Sequence, residues 1–265
     1  TISGGRGNRN DGNNAFLGGG MDNLIGEGYG LNSSSVLGGG MSNAISESTY
    51  SVLAGGRGNN IWSGSHDVTI SGGQGNTVQE HAYGSTIAGG GGNLITGGSV
   101  YDVIGGGEGN SVGGSYSIVN GGISNTCSGW AATVAGGDRN SSFGYHATVG
   151  GGAANISRGN GATIGGGEAN VCEGWWSIVA GGTANFIQAD ADYTTIAGGA
   201  TNLSQADAKH ATIGGGSGNV IEGDATFATI AGGEKNLIHG DGDFSTIAGG
   251  GHNQVGGDAY YSTIS

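Results

Sequence analysis

A motif built around a glycine pair and a following asparagine recurs along the whole chain and constrains the fold more than any other feature. The motif is Thr-Ile-Ala-Gly-Gly-x-x-Asn-x-Ile-x-Gly followed by a variable tail, and copies follow one another at 15 to 17 residues, apart from one interval of 20. Such self-similarity is typical of architectures in which each repeat stacks on its neighbours. We therefore predict one repetitive segment over residues 1–265. Its sixteen full repeats begin at Thr1, Phe16, Val36, Val52, Thr69, Thr86, Val103, Ile118, Thr133, Thr148, Thr163, Ile178, Thr195, Thr212, Thr229 and Thr246.

The residue types at fixed positions of the repeat favour strands over helices. Every full repeat has glycine at its fourth and fifth positions, and each glycine costs about 1 kcal/mol in a helix interior. The second position is always Ile, Leu or Val, and β-branched residues favour strands. Each repeat is expected to form a strand, a Gly-Gly turn and a second strand, stacked about 4.8 Å from its neighbours. This predicts an all-β fold, a parallel β-solenoid or β-roll of about 16 coils.

The asparagine at the eighth position is present in every full repeat. Stacked asparagine amides can satisfy one another's hydrogen bonds along a column. We therefore predict a structural ladder, and not a ligand site, from Asn8, Asn23, Asn43, Asn59, Asn76, Asn93, Asn110, Asn125, Asn140, Asn155, Asn170, Asn185, Asn202, Asn219, Asn236 and Asn253.

The first position of the repeat predicts association between chains. It alternates between Thr and apolar residues such as Phe16, Val36 and Ile178. Because consecutive residues of a strand face opposite sides, the second position is expected to fill the core while the first faces outward. Three chains around an axis would cover that outer face. We expect a homotrimer.

Composition and charge exclude several functions. Glycine supplies 66 of 265 residues but proline is absent, which excludes collagen. A net charge of −13 disfavours nucleic acid as a partner, and no apolar run is long enough to insert into a membrane. The six histidines fall at unrelated positions, and no catalytic or zinc-binding motif is present. We expect neither an enzyme nor a bound cofactor.

The segment Gly215-Gly216-Ser217-Gly218-Asn219-Val220-Ile221-Glu222-Gly223 resembles the head repeats of trimeric autotransporter adhesins. Asn219 and Ile221 stand where that family has two small residues. The resemblance implies a trimeric β-roll that binds a glycan or protein on a host surface, and similar repeats occur in tail-fibre-like proteins. It thus implies a structural or adhesive fragment of a longer extracellular fibre, on a cell surface or a virion.

Large aromatic residues concentrate at the thirteenth and fourteenth positions of the middle repeats. An exposed aromatic strip can stack on sugar rings, although packing between chains would explain the same residues. The candidate glycan-binding residues are Tyr116, Trp130, Tyr145, Trp175 and Trp176.

Two further columns leave alternatives open. Asp190, Asp207, Asp224, Asp241 and Asp258 share the thirteenth position of the last five repeats. They predict either solvated turns or calcium bridging in an extracellular matrix filament. The threonines at the first position form a column of regularly spaced hydroxyls, which keeps an ice-binding β-solenoid as an alternative function.

Overall fold

The computed structural model describes residues 1–26 and 34–265, and within these residues every regular element is a two-residue β-strand. The chain divides into two compact units, Thr1–Ala131 and Ala132–Ser265. Each unit is a parallel β-solenoid in which a coil contributes one strand to each of two sheets. We call the sheet that begins each repeat the Thr-side sheet and the one that follows the ladder asparagine the Asn-side sheet. Among the described residues no helix could cross a membrane.

In the N-terminal unit, each strand pairs in parallel with the equivalent strand of the next coil. The Thr-side strands are β2 (Phe16–Leu17), β4 (Val36–Leu37), β6 (Val52–Leu53), β8 (Thr69–Ile70), β10 (Thr86–Ile87), β12 (Val103–Ile104) and β14 (Ile118–Val119). The Asn-side strands are β1 (Arg9–Asn10), β3 (Leu24–Ile25), β5 (Ala44–Ile45), β7 (Asn60–Ile61), β9 (Thr77–Val78), β11 (Leu94–Ile95), β13 (Ser111–Val112) and β15 (Thr126–Cys127).

The C-terminal unit follows the same plan. Its Thr-side strands are β16 (Thr133–Val134), β18 (Thr148–Val149), β20 (Thr163–Ile164), β22 (Ile178–Val179), β24 (Thr195–Ile196), β26 (Thr212–Ile213), β28 (Thr229–Ile230), β30 (Thr246–Ile247) and β32 (Thr263–Ile264). Its Asn-side strands are β17 (Ser141–Ser142), β19 (Ile156–Ser157), β21 (Val171–Cys172), β23 (Phe186–Ile187), β25 (Leu203–Ser204), β27 (Val220–Ile221), β29 (Leu237–Ile238) and β31 (Gln254–Val255).

The core of each coil lies between the second residues of its two strands. In the repeat that begins at Thr163, Ile164 and Cys172 are fully buried, whereas Thr163 and Val171 remain partly exposed. Alternation along the strand produces this division. The predicted all-β parallel solenoid is thereby confirmed. Within each unit the sixth positions also pair in parallel, for example Ala153 with Glu168, so the turn after the glycines keeps register as well.

The two glycines of each pair have different roles. Gly167 has a φ of +89°, and a Cβ added there would lie 2.1 Å from the carbonyl oxygen of Gly182 in the next coil. A Cβ on Gly166 would meet no atom within 4 Å. The second glycine is therefore required both by its backbone conformation and by the close approach of the next coil.

Candidate functional site

The ladder asparagines form a buried chain of hydrogen bonds within each unit. The backbone N–H and Nδ2 of Asn170 both donate to Oδ1 of Asn155, at 3.0 and 3.1 Å. Nδ2 of Asn170 also donates to the carbonyl oxygens of Gly166 and Gly182, at 3.0 and 2.9 Å. Asn185 in turn donates from its backbone N–H and Nδ2 to Oδ1 of Asn170. Because these bonds occupy the polar atoms of a side chain with no solvent exposure, the arrangement can hold coils together but offers nothing to a ligand.

The predicted aromatic strip lies on turns that precede Thr-side strands. In the N-terminal unit, Tyr116 contacts both Trp130 and Tyr101, with ring centroids 5.6 and 5.5 Å apart. Part of the surface of these rings is therefore covered by other rings.

In the C-terminal unit, Tyr145, Trp175 and Trp176 are each more than half exposed. The Trp176 ring lies across Gly161, since a Cβ there would be 2.3 Å from its Cε3 atom. The backbone N–H of Trp175 donates to Oδ1 of Asp192 at 2.7 Å, which fixes this turn against the following coil. The structure thus brings Tyr116 and Trp130 into contact and places Trp175 and Trp176 side by side in sequence on one turn.

A second aromatic column, which the sequence reasoning missed, runs along the last coils of the C-terminal unit. Tyr193, His210, Phe227, Phe244 and Tyr261 stack face to face, with successive ring centroids 4.7 to 5.0 Å apart and interplanar angles of 2 to 11°. We call it the ring ladder. Each member lies two residues before a Thr-side strand and has a positive φ. A constant spacing of 17 residues was the signal that could have revealed it.

Stacking limits what the ring ladder can do. The faces of the inner rings are covered by their neighbours, while all five side chains remain exposed at their edges. A sugar stacks on the face of an aromatic ring, so inner rings such as Phe227 have no face left to offer. The ring ladder is better suited to stiffening the turns of this unit.

The aspartates of the thirteenth position occupy exposed turns. Asp190 has a φ of 64°, and the backbone N–H of Ala191 donates to the carbonyl oxygen of Gln188 at 3.3 Å. Asp207, Asp224 and the two later members share this positive φ, which aspartate tolerates better than most residues. In the described part of the chain, no three acidic, histidine or cysteine side chains are grouped to hold a metal ion. Turn geometry accounts for the aspartates, and calcium bridging stays a prediction that the effect of a chelator on the melting temperature would check.

An uncharged apolar column faces outward from the Asn-side sheet of the C-terminal unit and was also missed. Its members occupy the ninth position of six consecutive repeats, pair in register and are only half-buried. We call it the apolar stripe; it consists of Ile156, Val171, Phe186, Leu203, Val220 and Leu237. At the first position, Phe16, Val36 and Val52 of the N-terminal unit are also exposed and stack in register.

Three buried titratable groups have shifted pKa values. Burial raises the pKa of Asp102, whose Oδ1 accepts a hydrogen bond from the backbone N–H of Ser117 at 2.9 Å while its Oδ2 has no partner. Burial also raises the pKa of the Cys127 and Cys172 thiols to about 12. Both thiols are free, and a thiol that stays protonated at neutral pH is a poor nucleophile.

Comparison with known proteins adds no family assignment. The chain matches no protein-family model, and a search of curated proteins found no relative.

Proposed function

We propose that this chain is a structural and adhesive segment of an extracellular fibre on a cell surface or a virion, that it associates as a homotrimer, and that it is not an enzyme. The apolar stripe of the C-terminal unit carries the proposal. It gives identical chains an uncharged surface on which to meet, although each chain bears a net charge of −13. Three copies around one axis would cover three such stripes at once.

Charge placement supports this mode of association. Chains with a net charge of the same sign repel one another, and the repulsion is weakest where the surfaces that meet carry no charged side chains. The ninth position carries no charged residue from Ser141 to Gln254, and the first position carries none anywhere in the described chain. Lysine and arginine are too few to neutralise the acidic residues. The apolar contact would therefore have to supply the attraction, through area removed from water.

The mass of the particle in solution tests association. Sedimentation equilibrium of the wild-type chain is expected to give about three times the 25.6 kDa of one chain. The double variant Val171→Glu, Leu203→Glu places charges in the apolar stripe, and it is expected to sediment as a single chain with an unchanged circular dichroism spectrum. Ser217→Glu is the matched control, because glutamate already occupies the equivalent position at Glu168 and Glu234. A wild-type chain that stays monomeric at all concentrations would refute the trimer.

The adhesive role is assigned to the exposed aromatic residues of the predicted strip. Tyr145, Trp175 and Trp176 leave more than half of their surface exposed, and large exposed aromatic residues frequently mark contact sites. The chain is expected to bind host cells or their surface glycans, and Trp175→Ala with Trp176→Ala is expected to weaken that binding without changing the particle mass. Unchanged binding by the double variant would remove these residues from the adhesive surface.

Ice binding is a second candidate, supported by five threonines in register on the Thr-side sheet. Thr195, Thr212, Thr229, Thr246 and Thr263 pair successively along the C-terminal unit. They form one rank of hydroxyls, flanked at the third position by Ala or Gly and, after Thr263, by Ser265. A thermal hysteresis measurement decides this point, because a protein that adsorbs to ice depresses the freezing point below the melting point.

A further inference from the structure

Trp62 is an exposed tryptophan of the N-terminal unit that, unlike Trp130, contacts no other described aromatic ring. It follows the strand Asn60–Ile61, is 49% exposed, and makes no ring contact among the described residues. Its backbone is fixed, because its N–H donates to the carbonyl oxygen of Val78 at 2.9 Å and its own carbonyl oxygen accepts from Ser48 Oγ at 3.1 Å. The indole therefore projects from a firmly held position.

Two grooves flank the indole along the Asn-side sheet of the N-terminal unit. One groove, of about 470 Å³, is lined by Trp62, Thr77, Gln79, Glu80 and His81. The other groove, of about 420 Å³, is lined by Trp62 together with Ser46, Glu47, Asn60 and Ser63. Both grooves therefore place the indole beside hydrogen-bonding side chains.

The hydrogen bonds inside the grooves leave specific groups available. Ser63 Oγ donates to Oε2 of Glu47 at 2.8 Å. Gln79 Oε1 accepts from the backbone N–H of Gly97 at 3.2 Å, which directs its amide group and leaves the two N–H donors of Nε2 for a ligand. The exposed Glu80 carboxylate provides acceptors beside them. An aromatic wall with a few placed polar groups is the usual composition of a small-ligand site.

We propose that Trp62 is the centre of a binding site for neutral pyranose glycans. The apolar C–H face of a pyranose ring would pack on the exposed indole, and its hydroxyl groups would bond to Gln79 and Glu80 on one side and to Glu47 and Asn60 on the other. Carboxylates on both sides disfavour sialylated or sulfated sugars by like-charge repulsion. The site lies outside the predicted aromatic strip, and the proposal holds whether or not the chain forms a trimeric fibre.

Several other aromatic residues make poorer candidates because their ring faces are covered. Tyr116 contacts two other rings, and the inner members of the ring ladder are covered on both faces. Phe143 occupies the repeat position equivalent to that of Trp62, but the guanidinium of Arg158 lies over its ring, 6.0 Å from the centroid. Phe143 is therefore a matched control in which the ring is present but its face is occupied.

A binding measurement with defined sugars tests the proposal on the intact chain. The probes are tri- and tetrasaccharides of glucose, galactose or N-acetylhexosamine, with sialylated and sulfated oligosaccharides as anionic comparators. Titration calorimetry is expected to show binding of at least one neutral series. Trp62→Ala is expected to weaken it at least tenfold, whereas Phe143→Ala leaves it unchanged.

Every other outcome would overturn the assignment. No neutral sugar bound at millimolar concentration, equal binding by Trp62→Ala, equal loss in Phe143→Ala, or binding confined to anionic sugars would each do so. A Trp62→Ala chain whose particle mass falls, with no change in sugar binding, would instead assign the indole to a contact between chains. Circular dichroism of both variants ensures that lost binding is not lost folding.

Discussion

Replacing Asn170 with alanine should destabilise the C-terminal unit more than any exposed asparagine substitution. The change leaves the buried backbone N–H of Asn185 and the carbonyl oxygen of Gly166 without partners, since both bond to the Asn170 side chain. The carbonyl oxygen of Gly182 keeps a second donor in the N–H of Glu168. The Asn185 N–H is buried, whereas Gly166 is partly exposed and water can reach its carbonyl oxygen. An orphaned buried group costs about 1–3 kcal/mol, so the free energy of unfolding should fall by about 1–3 kcal/mol.

The assay combines urea denaturation with hydrogen exchange, because repeat proteins can open locally before they unfold. Exchange at the Asn185 amide should accelerate in the variant. Asn160→Ala is the matched control: its Oδ1 accepts one exposed hydrogen bond, from the Tyr145 N–H at 3.0 Å, and water can replace it. If Asn170→Ala lost no more stability than Asn160→Ala, the asparagine column would not be what holds the coils in register.

Four shorter predictions concern other features of the coils. Gly167→Ala should cost at least about 2 kcal/mol of unfolding free energy because of its positive φ and the approach of Gly182, whereas Gly166→Ala should be nearly neutral; equal effects would contradict the roles assigned to the pair. Asp102→Ser should raise the urea midpoint at neutral pH. Because burial raises the pKa of the Asp102 carboxyl above its ordinary value of 3.8, this carboxyl does not destabilise the folded wild-type protein below pH 3.8, and it lowers the free energy of unfolding as pH rises through the native pKa. The stability gained by Asp102→Ser should therefore vanish in acid. A gain that is the same at every pH would refute this cause. Phe227→Ala should lower the thermal midpoint of the C-terminal unit by breaking two ring stacks, while an unchanged midpoint would show that the stacks add nothing to stability. Cys172, with its pKa raised to about 12 by burial, should react with a disulfide reagent at pH 8 only after denaturation, and rapid labelling of the native chain would contradict its burial.

The features that repeat at fixed distances from the start of each repeat were predictable from sequence. The second position was expected in the core, and residues such as Ile164 are buried there. The prediction of these core residues is correct because every repeat has the same alternation of side chains along its strands and stacks at the same spacing of about 4.8 Å. The sequence also predicted an exposed aromatic strip that includes Trp175 and Trp176, and both side chains are exposed.

The features that depend on the end of each repeat were missed. Trp176 is the fourteenth residue of its repeat and Tyr193 the sixteenth of the next, yet both lie two residues before a Thr-side strand with φ values of 53 and 58°. Numbering each residue from the start of its repeat gives Trp176 and Tyr193 different positions, because the tails of the two repeats differ in length. The apolar stripe escaped notice because ninth-position residues such as Leu203 matter only once their outward direction is known. The isolation of Trp62 follows from its neighbours in space, which periodicity does not reveal.

The tolerance of the asparagine column to spacing has a practical consequence. The bond from a backbone N–H to the preceding asparagine Oδ1 is 3.0 Å long between Asn140 and Asn155, 3.1 Å between Asn185 and Asn202, and 3.1 Å between Asn23 and Asn43, although 15, 17 and 20 residues separate these pairs. The hydrogen bond that joins the coils is therefore the same for repeats of different length. A peptide epitope or an enzyme-cleavage sequence could therefore be grafted into one tail after another, and the chain would then serve as a display scaffold with attachment points about 4.8 Å apart.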